Sequence, residues 1–403
     1  MTDSPEPPRG FPRPPSGLPA VQAAVDEAGA VGFVHAGRQT DPILRYLIRV
    51  DAPDRETAVV FLPSDGTHEP EAVYCVPTDV ADEAAPFEQI AWGDDITRRV
   101  AGRNPATATG QQVRTVFSDR VGDPGRLLVP RTVPHDTAVF LQQAGYELQS
   151  TPAVGTARTT KAPKERDCLR AVQEAAATGV ARAETVLAAS EPADGGLIFD
   201  GRPLTAERLR RLINAELVSV GVEPAASTLI EAPTAAVDGL PARKPIRIRV
   251  APCGPHGHRG SLTRTVAVDS EGGWERRAFI AVEAGLAAAE RQLEPGVDVS
   301  TVETEAIAEV GAYGFAVASD EEAMVARAVG VTHGVGLSTH EPPVRGSTSE
   351  LSPGSVIAVE TGVVDPDRGA VRLGTVFEVS EEGAETLVEY PFSLSPVDRG
   401  ETD

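Results

Sequence analysis

The chain has 403 residues, a formal net charge of -22 at pH 7 and 41% hydrophobic residues, enough for two domains, each with its own core. Such a charge repels nucleic-acid phosphates and anionic membranes, and no apolar run is long enough to cross a bilayer, so neither is an expected partner. Lysine occurs only at Lys161, Lys164 and Lys244. An acidic, lysine-poor chain resembles cytoplasmic proteins of salt-loving archaea; a merely acidic protein from a GC-rich genome would look the same. Cys75, Cys168 and Cys253 are odd in number and far apart, which argues against a disulfide framework and for a reducing cytoplasm.

Residues 1–17 are rich in proline, lack an apolar period and carry no secretory signal, so a disordered lead is expected. Residues 18–157 mix short apolar runs with helical stretches. Val31–Val34, Tyr46–Val50, Ala58–Leu62, Val73–Val76 and Arg126–Val129 read as strands, and Ile96–Arg103 and Thr137–Ala144 as short helices. The mixture predicts a smaller N-terminal α/β domain. His35 and His68 read as loop or edge residues.

A boundary falls near Thr159–Glu165. Pro163 suits the first turn of a helix, and Leu169, Val172, Ala176, Val180, Ala183 and Leu187 follow at helical spacing. Thr205 is a good cap for a second helix with Leu209, Leu212, Ile213 and Leu217 on its apolar face. Ile246–Val250 alternates with period two, Ala251–Gly260 is a Pro/Gly/His connection, and Thr263–Val268 reads as a returning strand. A long helix spans Trp274 to Leu293. Ser300–Glu303 reads as a capping box. Val356–Val364 and Thr375–Ser380 read as strands.

Several segments in this order resemble the creatinase, prolidase and aminopeptidase P family. Arg158-Thr-Thr-Lys161-Ala-Pro-Lys-Glu165 resembles the entry to that family's first catalytic-domain helix. Leu204–Gly221 resembles its second helix. Thr332-His333-Gly334-Val335-Gly336-Leu337-Ser338-Thr339-His340-Glu341-Pro342-Pro343 is similar to its "HGIGLxxHEPP" signature, and Leu351–Gly362 to "LxPGMVITIEPG". The stretch Val371–Thr375 and then Val379–Gly383 follows "VRIEDTVLVTEDG". The resemblance implies an α+β fold: a pita-bread domain over 158–395, with 18–157 as a smaller creatinase-like domain that helps form homodimers, and a tail at 396–403.

The resemblance also implies two divalent cations (Mn, Co or Zn) bridging a hydroxide, about 3.5–4 Å apart, held by two Asp, one His and two Glu. The pattern Gly260-Ser261-Leu262-Thr263-Arg264-Thr265 sets the register. It places the five positions at Val250, Ser261, His333, Glu360 and Gly374, so two of five ligands remain and both bridging carboxylates are missing. One His and one Glu cannot offset two buried dications, so no metal cofactor is expected. Cys253, His256 and His258 have ligand-like spacing, but a Gly/Pro turn with solvated histidines fits them better.

Three functions stay open. One is a non-metallo relative that binds a peptide or small amide-like ligand without cutting it. A second is a metal-independent C–N hydrolase of the creatinase or ectoine hydrolase type. Its catalytic residues would be His333, His340 and Glu360, with Glu360 raising the His333 pKa. In creatinase the catalytic His lies upstream of the first-Asp strand, where Thr228–Asp238 holds none. A third is an active Xaa-Pro aminopeptidase with a rebuilt metal site. Ser261 beside His333 and Glu360 also suggests a triad, but no oxyanion hole is identifiable. Arg264 and Arg372 are expected to pair with carboxylates in the sheet. Arg247 and Arg249 share one strand face, which suits an anionic ligand or, more simply, carboxylate pairing.

Overall fold

The computed structural model describes residues 11–50, 53–89, 96–121, 123–193, 196–233, 239–317, 326–344 and 350–399. The chain divides into two compact units, Met1–Arg158 and Thr159–Asp403. Of the expected disordered lead, residues 1–10 lie outside the described ones, while Phe11 and Ser16 are buried.

The first unit runs α1 (Leu18–Ala28), β1 (Gly32–Gly37), α2 (Pro42–Ile48), β2 (Thr57–Leu62), β3 (Glu71–Pro77), β4 (Thr97–Arg103), α3 (Thr109–Arg120), β5 (Arg126–Val129), α4 (His135–Gln143), β6 (Glu147–Ser150) and α5 (Ala153–Ala157). Its mixed sheet has the order β4-β3-β2-β1-β5-β6. Val34, Val60, Val73, Leu127 and Leu141 share one buried cluster with Phe117 and Tyr146.

Three sequence expectations are overturned in this unit. His35, expected on a loop or edge, is fully buried on β1, which pairs with β2 and β5. Tyr46–Val50 falls mostly in α2. The Asp41 carboxylate accepts from the backbone N–H of Ile43 (2.8 Å) and Leu44 (2.9 Å), Pro42 opens the first turn, and Arg49 closes the helix in the left-handed region. Conversely, Ile96–Arg103 is strand β4, paired in parallel with β3 from Glu71↔Thr97 to Pro77↔Arg103. A free backbone edge on β3 decides the conformation there over local preference.

The second unit contains α6 (Pro163–Ala188), β7 (Glu191–Ala193), β8 (Gly196–Phe199), β9 (Arg202–Pro203), α7 (Ala206–Ser219), β10 (Leu229–Glu231), β11 (Ile246–Val250), β12 (Leu262–Val266), α8 (Trp274–Arg291), α9 (Val299–Ala312), β13 (Arg327–Gly334), β14 (Glu341–Val344), β15 (Val356–Asp365), β16 (Gly369–Ser380) and β17 (Gly383–Thr386). The α6 face read from the sequence is buried throughout. Thr205 caps α7 by accepting from Arg208 N–H at 3.1 Å. α9 is capped by Asp298, which accepts from Ser300 N–H at 2.7 Å, so the expected cap at Ser300 moves two residues upstream. Asp carries an acceptor of full charge at the helix N-terminus, and Glu303 turns inward instead, 4% exposed.

A large antiparallel sheet, ordered β10-β11-β12-β16-β15-β13-β14 with β17 on β16, forms the body of this unit. One core joins Val282, Leu286, Val302 and Val310 of α8 and α9 to Ile357, Val359, Leu373 and Phe377 of the sheet. The α+β class expected from the sequence is the one observed.

Candidate functional site

The alternation of β11 decides which side chains reach the site. Ile246, Ile248 and Val250 are fully buried, while Arg247 and Arg249 point to the other face. Ladder register then lines up one cross-sheet row: Arg249 opposite Thr263, Thr263 opposite Gly374, Gly374 opposite Glu360, and Glu360 opposite Val331. With Arg247, Ser261, His333, His340, Ala358, Val359 and Arg372 these residues line a cavity of about 220 Å³.

Four of the five positions named from the sequence, Ser261, His333, Glu360 and Gly374, therefore meet in one cavity. Val250 does not line it. Its side chain packs towards α6, with Cγ1 3.2 Å from where a Cβ on Gly179 would stand. On β11 it is the neighbouring Arg249 that faces the cavity.

Glu360 is the cavity's carboxylate, and both its oxygens are engaged. Oε1 accepts from Arg247 Nη2 (3.0 Å) and Arg372 Nη1 (2.8 Å). Oε2 accepts from the Thr263 hydroxyl (2.7 Å). Burial pushes the Glu360 pKa up, but Arg247, the Thr263 hydroxyl and Arg372 outweigh it, and the net shift is downward. Arg372 reaches Glu360 because its cross-strand neighbour is Gly362, where a Cβ would stand 2.6 Å from Arg372 Cγ. Thr265 holds the same residue by its backbone, donating to Arg372 C=O (2.8 Å) and accepting from Arg372 N–H (2.9 Å).

The expected His333–Glu360 pair does not form. His333 Nδ1 lies 2.9 Å from the Gly334 carbonyl, which only accepts, so Nδ1 carries the proton and Nε2 a lone pair. Burial, the largest influence, drives the His333 pKa down to about 4. The Gly334 carbonyl opposes this, and His340 and Arg249 add to it. The direction is opposite to the one expected: Glu360 does pull the His333 pKa up, but burial, with His340 and Arg249, outweighs it. His340 lies against His333, ring centroids 3.9 Å apart, and burial and then Arg249 lower its pKa too.

Ser261 is fixed by its backbone: it donates to Gln173 Oε1 (2.9 Å) and accepts from Gln173 Nε2 (3.0 Å). Arg264 corrects another expectation. It is 1% exposed and donates to backbone carbonyls of Thr263 (2.9 Å), Gly374 (2.9 Å) and Tyr390 (2.8 Å), rather than to a carboxylate. Cys253 and His258 are buried on the β11–β12 connection, and Cys253 Sγ meets the Gly254 carbonyl at 3.5 Å. Among the described residues no group of three or more His, Cys, Asp or Glu is arranged to hold a metal ion. In the stretch Thr228–Asp238, which holds the acids Glu231 and Asp238, Asp238 lies outside the described residues. Glu231 binds Arg247 Nη1 at 2.6 Å.

As a donor set the cavity does not fit two divalent cations. Hard cations need several anionic oxygens. Among the described residues Glu360 is the only lining carboxylate; it is already held by two guanidiniums, and a third guanidinium faces the same space. A dication roughly 5 Å from one guanidinium is opposed by about 7 kcal/mol at an effective dielectric near 20.

Residues 205–381 match the model of metallopeptidase family M24. Among curated proteins the chain is similar to the probable dipeptidase PepE of Mycobacterium tuberculosis, 29% identical over 140 residues, 34% of this chain and 35% of that one. It is also similar to the uncharacterized peptidase YqhT of Bacillus subtilis, 38% identical over 65 residues, 15% of this chain and 18% of that one. The matched stretches thus span about a third, or less than a fifth, of those relatives' own length. Among solved structures the chain is similar to the prolidase from Pyrococcus horikoshii OT3, with a TM-score of 0.72 at 17% identity over 94% of this chain and 99% of that one. It is similar to the dipeptidase PepE from Mycobacterium ulcerans as well, with a TM-score of 0.70 at 23% identity over 94% and 96%. These likenesses show the pita-bread fold with an N-terminal domain, and the family match covers residues 205–381, less than half of the chain.

Proposed function

We propose that this member of the Xaa-Pro peptidase and prolidase group works without metal and uses its cavity to bind a peptide-like or small amide ligand rather than to hydrolyse it. One observation carries the reading: Glu360, the carboxylate on the cavity floor, is held by Arg247, Arg372 and Thr263. A general base or metal ligand needs a free lone pair, and a carboxylate accepting three charge-assisted or hydroxyl hydrogen bonds has little to offer. The metal-independent hydrolase loses its acid partner for the same reason. Cys75, Cys168 and Cys253 are buried thiols outside any disulfide among the described residues, which supports a reducing, cytoplasmic setting. Among the described residues no helix is long and apolar enough to cross a membrane. A homodimer is proposed from the family resemblance.

The test is direct. Full-length protein is equilibrated with Mn²⁺, Co²⁺ or Zn²⁺, freed of unbound ion, and analysed for metal content. Its release of the residue ahead of proline from Xaa-Pro dipeptides is then measured with and without chelator. The expected result is no stoichiometric metal and no release. One tightly held ion per chain with chelator-sensitive release would sink the reading.

A further inference from the structure

We propose that the cavity on the β11–β12–β16–β15 floor is a carboxylate-binding site, with Arg249 as its anchor; this rests on the metal-free reading above and names the ligand chemistry of that site. Three guanidiniums, Arg247, Arg249 and Arg372, meet two carboxylates, Glu360 in the cavity and Glu231, outside its lining, on Arg247. One positive charge is left over, and it belongs to an identifiable residue. Arg247 binds both Glu231 and Glu360, and Arg372 binds Glu360, whereas the half-buried Arg249 guanidinium makes no hydrogen bond or ion pair among the described residues.

A guanidinium stays charged under all ordinary conditions and offers a planar fork of donors. Half-buried and without a hydrogen bond or ion pair of its own among the described residues, it has only the longer-range attraction of Glu360 and Glu231 against its lost hydration. A ligand of one negative charge and matching planar geometry restores the balance, and a carboxylate has both. The surroundings agree: the Ser261 side chain and the exposed His340 imidazole line the same cavity, and neither makes a side-chain hydrogen bond among the described residues. Thr263, directly across from Arg249, has its hydroxyl turned to Glu360, so Arg249 has no competitor for the incoming group from that neighbour. The cavity, about 220 Å³, lies below the roughly 300 Å³ at which pockets for drug-sized ligands begin. It admits the acid end of a ligand and little more. A phosphate dianion would overshoot the single excess charge and crowd Glu360.

The experiment is calorimetric titration of the full chain at constant ionic strength with N-acetylglycine and with N-acetylglycinamide, its neutral isostere. N-acetylaspartic acid α-amide, which carries only a side-chain carboxylate, distinguishes that source from a chain terminus. The expected result is that at least one acid binds about tenfold or more tightly than the glycinamide. Arg249→Gln should bring acid and amide level, and Arg249→Lys should keep part of the preference. Equal affinity of wild type for acids and amide overturns the assignment, as does no acid binding, tighter binding of inorganic phosphate, or a folded Arg249→Gln protein that keeps the preference. The wild-type comparison decides the matter even if the variant does not fold. Stoichiometric metal in the same sample would sink the metal-free reading, whereas a metal-free sample indifferent to the acids sinks this inference alone.

Discussion

Lys161 Nζ lies 2.9 Å from Glu341 Oε1, and each side chain is only 3% exposed. The pair joins the segment leading into α6 to the first residue of β14, two stretches 180 positions apart. Gly336 leaves room for it, since a Cβ there would collide with Glu341 Oε1. Removing one partner strands a buried charge. Lys161→Met is therefore expected to cost about 3–5 kcal/mol in urea unfolding, and Lys161→Met with Glu341→Leu to recover much of that. A single variant as stable as wild type would contradict the account.

Glu360→Gln should destabilise the second unit by about 2–4 kcal/mol at neutral pH, because Arg247 and Arg372 both lose their counter-charge. The folded-state pKa of Glu360 is lowered from 4.5. Its contribution is thus present above the unfolded pKa and lost as pH falls through the folded one. The gap in unfolding midpoint between wild type and variant should shrink steadily on acidification below about pH 4.5. A gap that does not change with pH would rule this linkage out.

His333 titrates in the same sense by another route. Its pKa falls from 6.5 unfolded to about 4 folded. Between those values the unfolded chain binds the proton more readily, so stability drops as pH decreases from 6.5 towards 4, by roughly 3 kcal/mol in all. His333→Gln is expected to flatten that part of the stability–pH curve, which urea melts at half-unit steps would reveal.

Arg264→Met should be among the most damaging substitutions in the sheet. The guanidinium serves carbonyls of Thr263, Gly374 and Tyr390 and lies 4.4 Å over the Phe392 ring. Methionine replaces the bulk and none of the donors, leaving buried carbonyls unsatisfied at a cost of about 3 kcal/mol or more. Arg264→Lys should rescue only partly, since one ammonium cannot reproduce the planar fork. A chemical melt of both variants ranks them.

Much of the second unit is legible in the sequence because its signals are local and repeated. Ile246–Val250 alternates cleanly, and the α6 face recurs over about five turns. α2 and β4 depart from the sequence expectation for opposite reasons. Tyr46–Ile48 is apolar enough for a strand, and only the Asp41-Pro42 cap reveals the helix. Thr97–Arg103 carries helix-tolerant arginines and becomes a strand through its partner β3. At the site, motif spacing finds His333, Glu360, Ser261 and Gly374. It does not show that Arg249 rather than Val250 faces the cavity, because that depends on strand pleat. Nor does any local signal say that Arg372 crosses to Glu360, which depends on the empty space above Gly362. That glycine is the one clue the sequence held.

The arginine grip on Glu360 has a consequence for redesign. An acid placed at position 374 would begin with its Cβ 3.2 Å from Glu360 Cβ and 3.3 Å from Thr263 Cβ, beside three resident guanidiniums. It would find an arginine before it found an ion, so Gly374→Glu alone should read flat against Mn²⁺ in a calorimeter. The floor works as a latch: acids and arginines must be exchanged together, and a stepwise route towards an ion cage closes on itself at the first step.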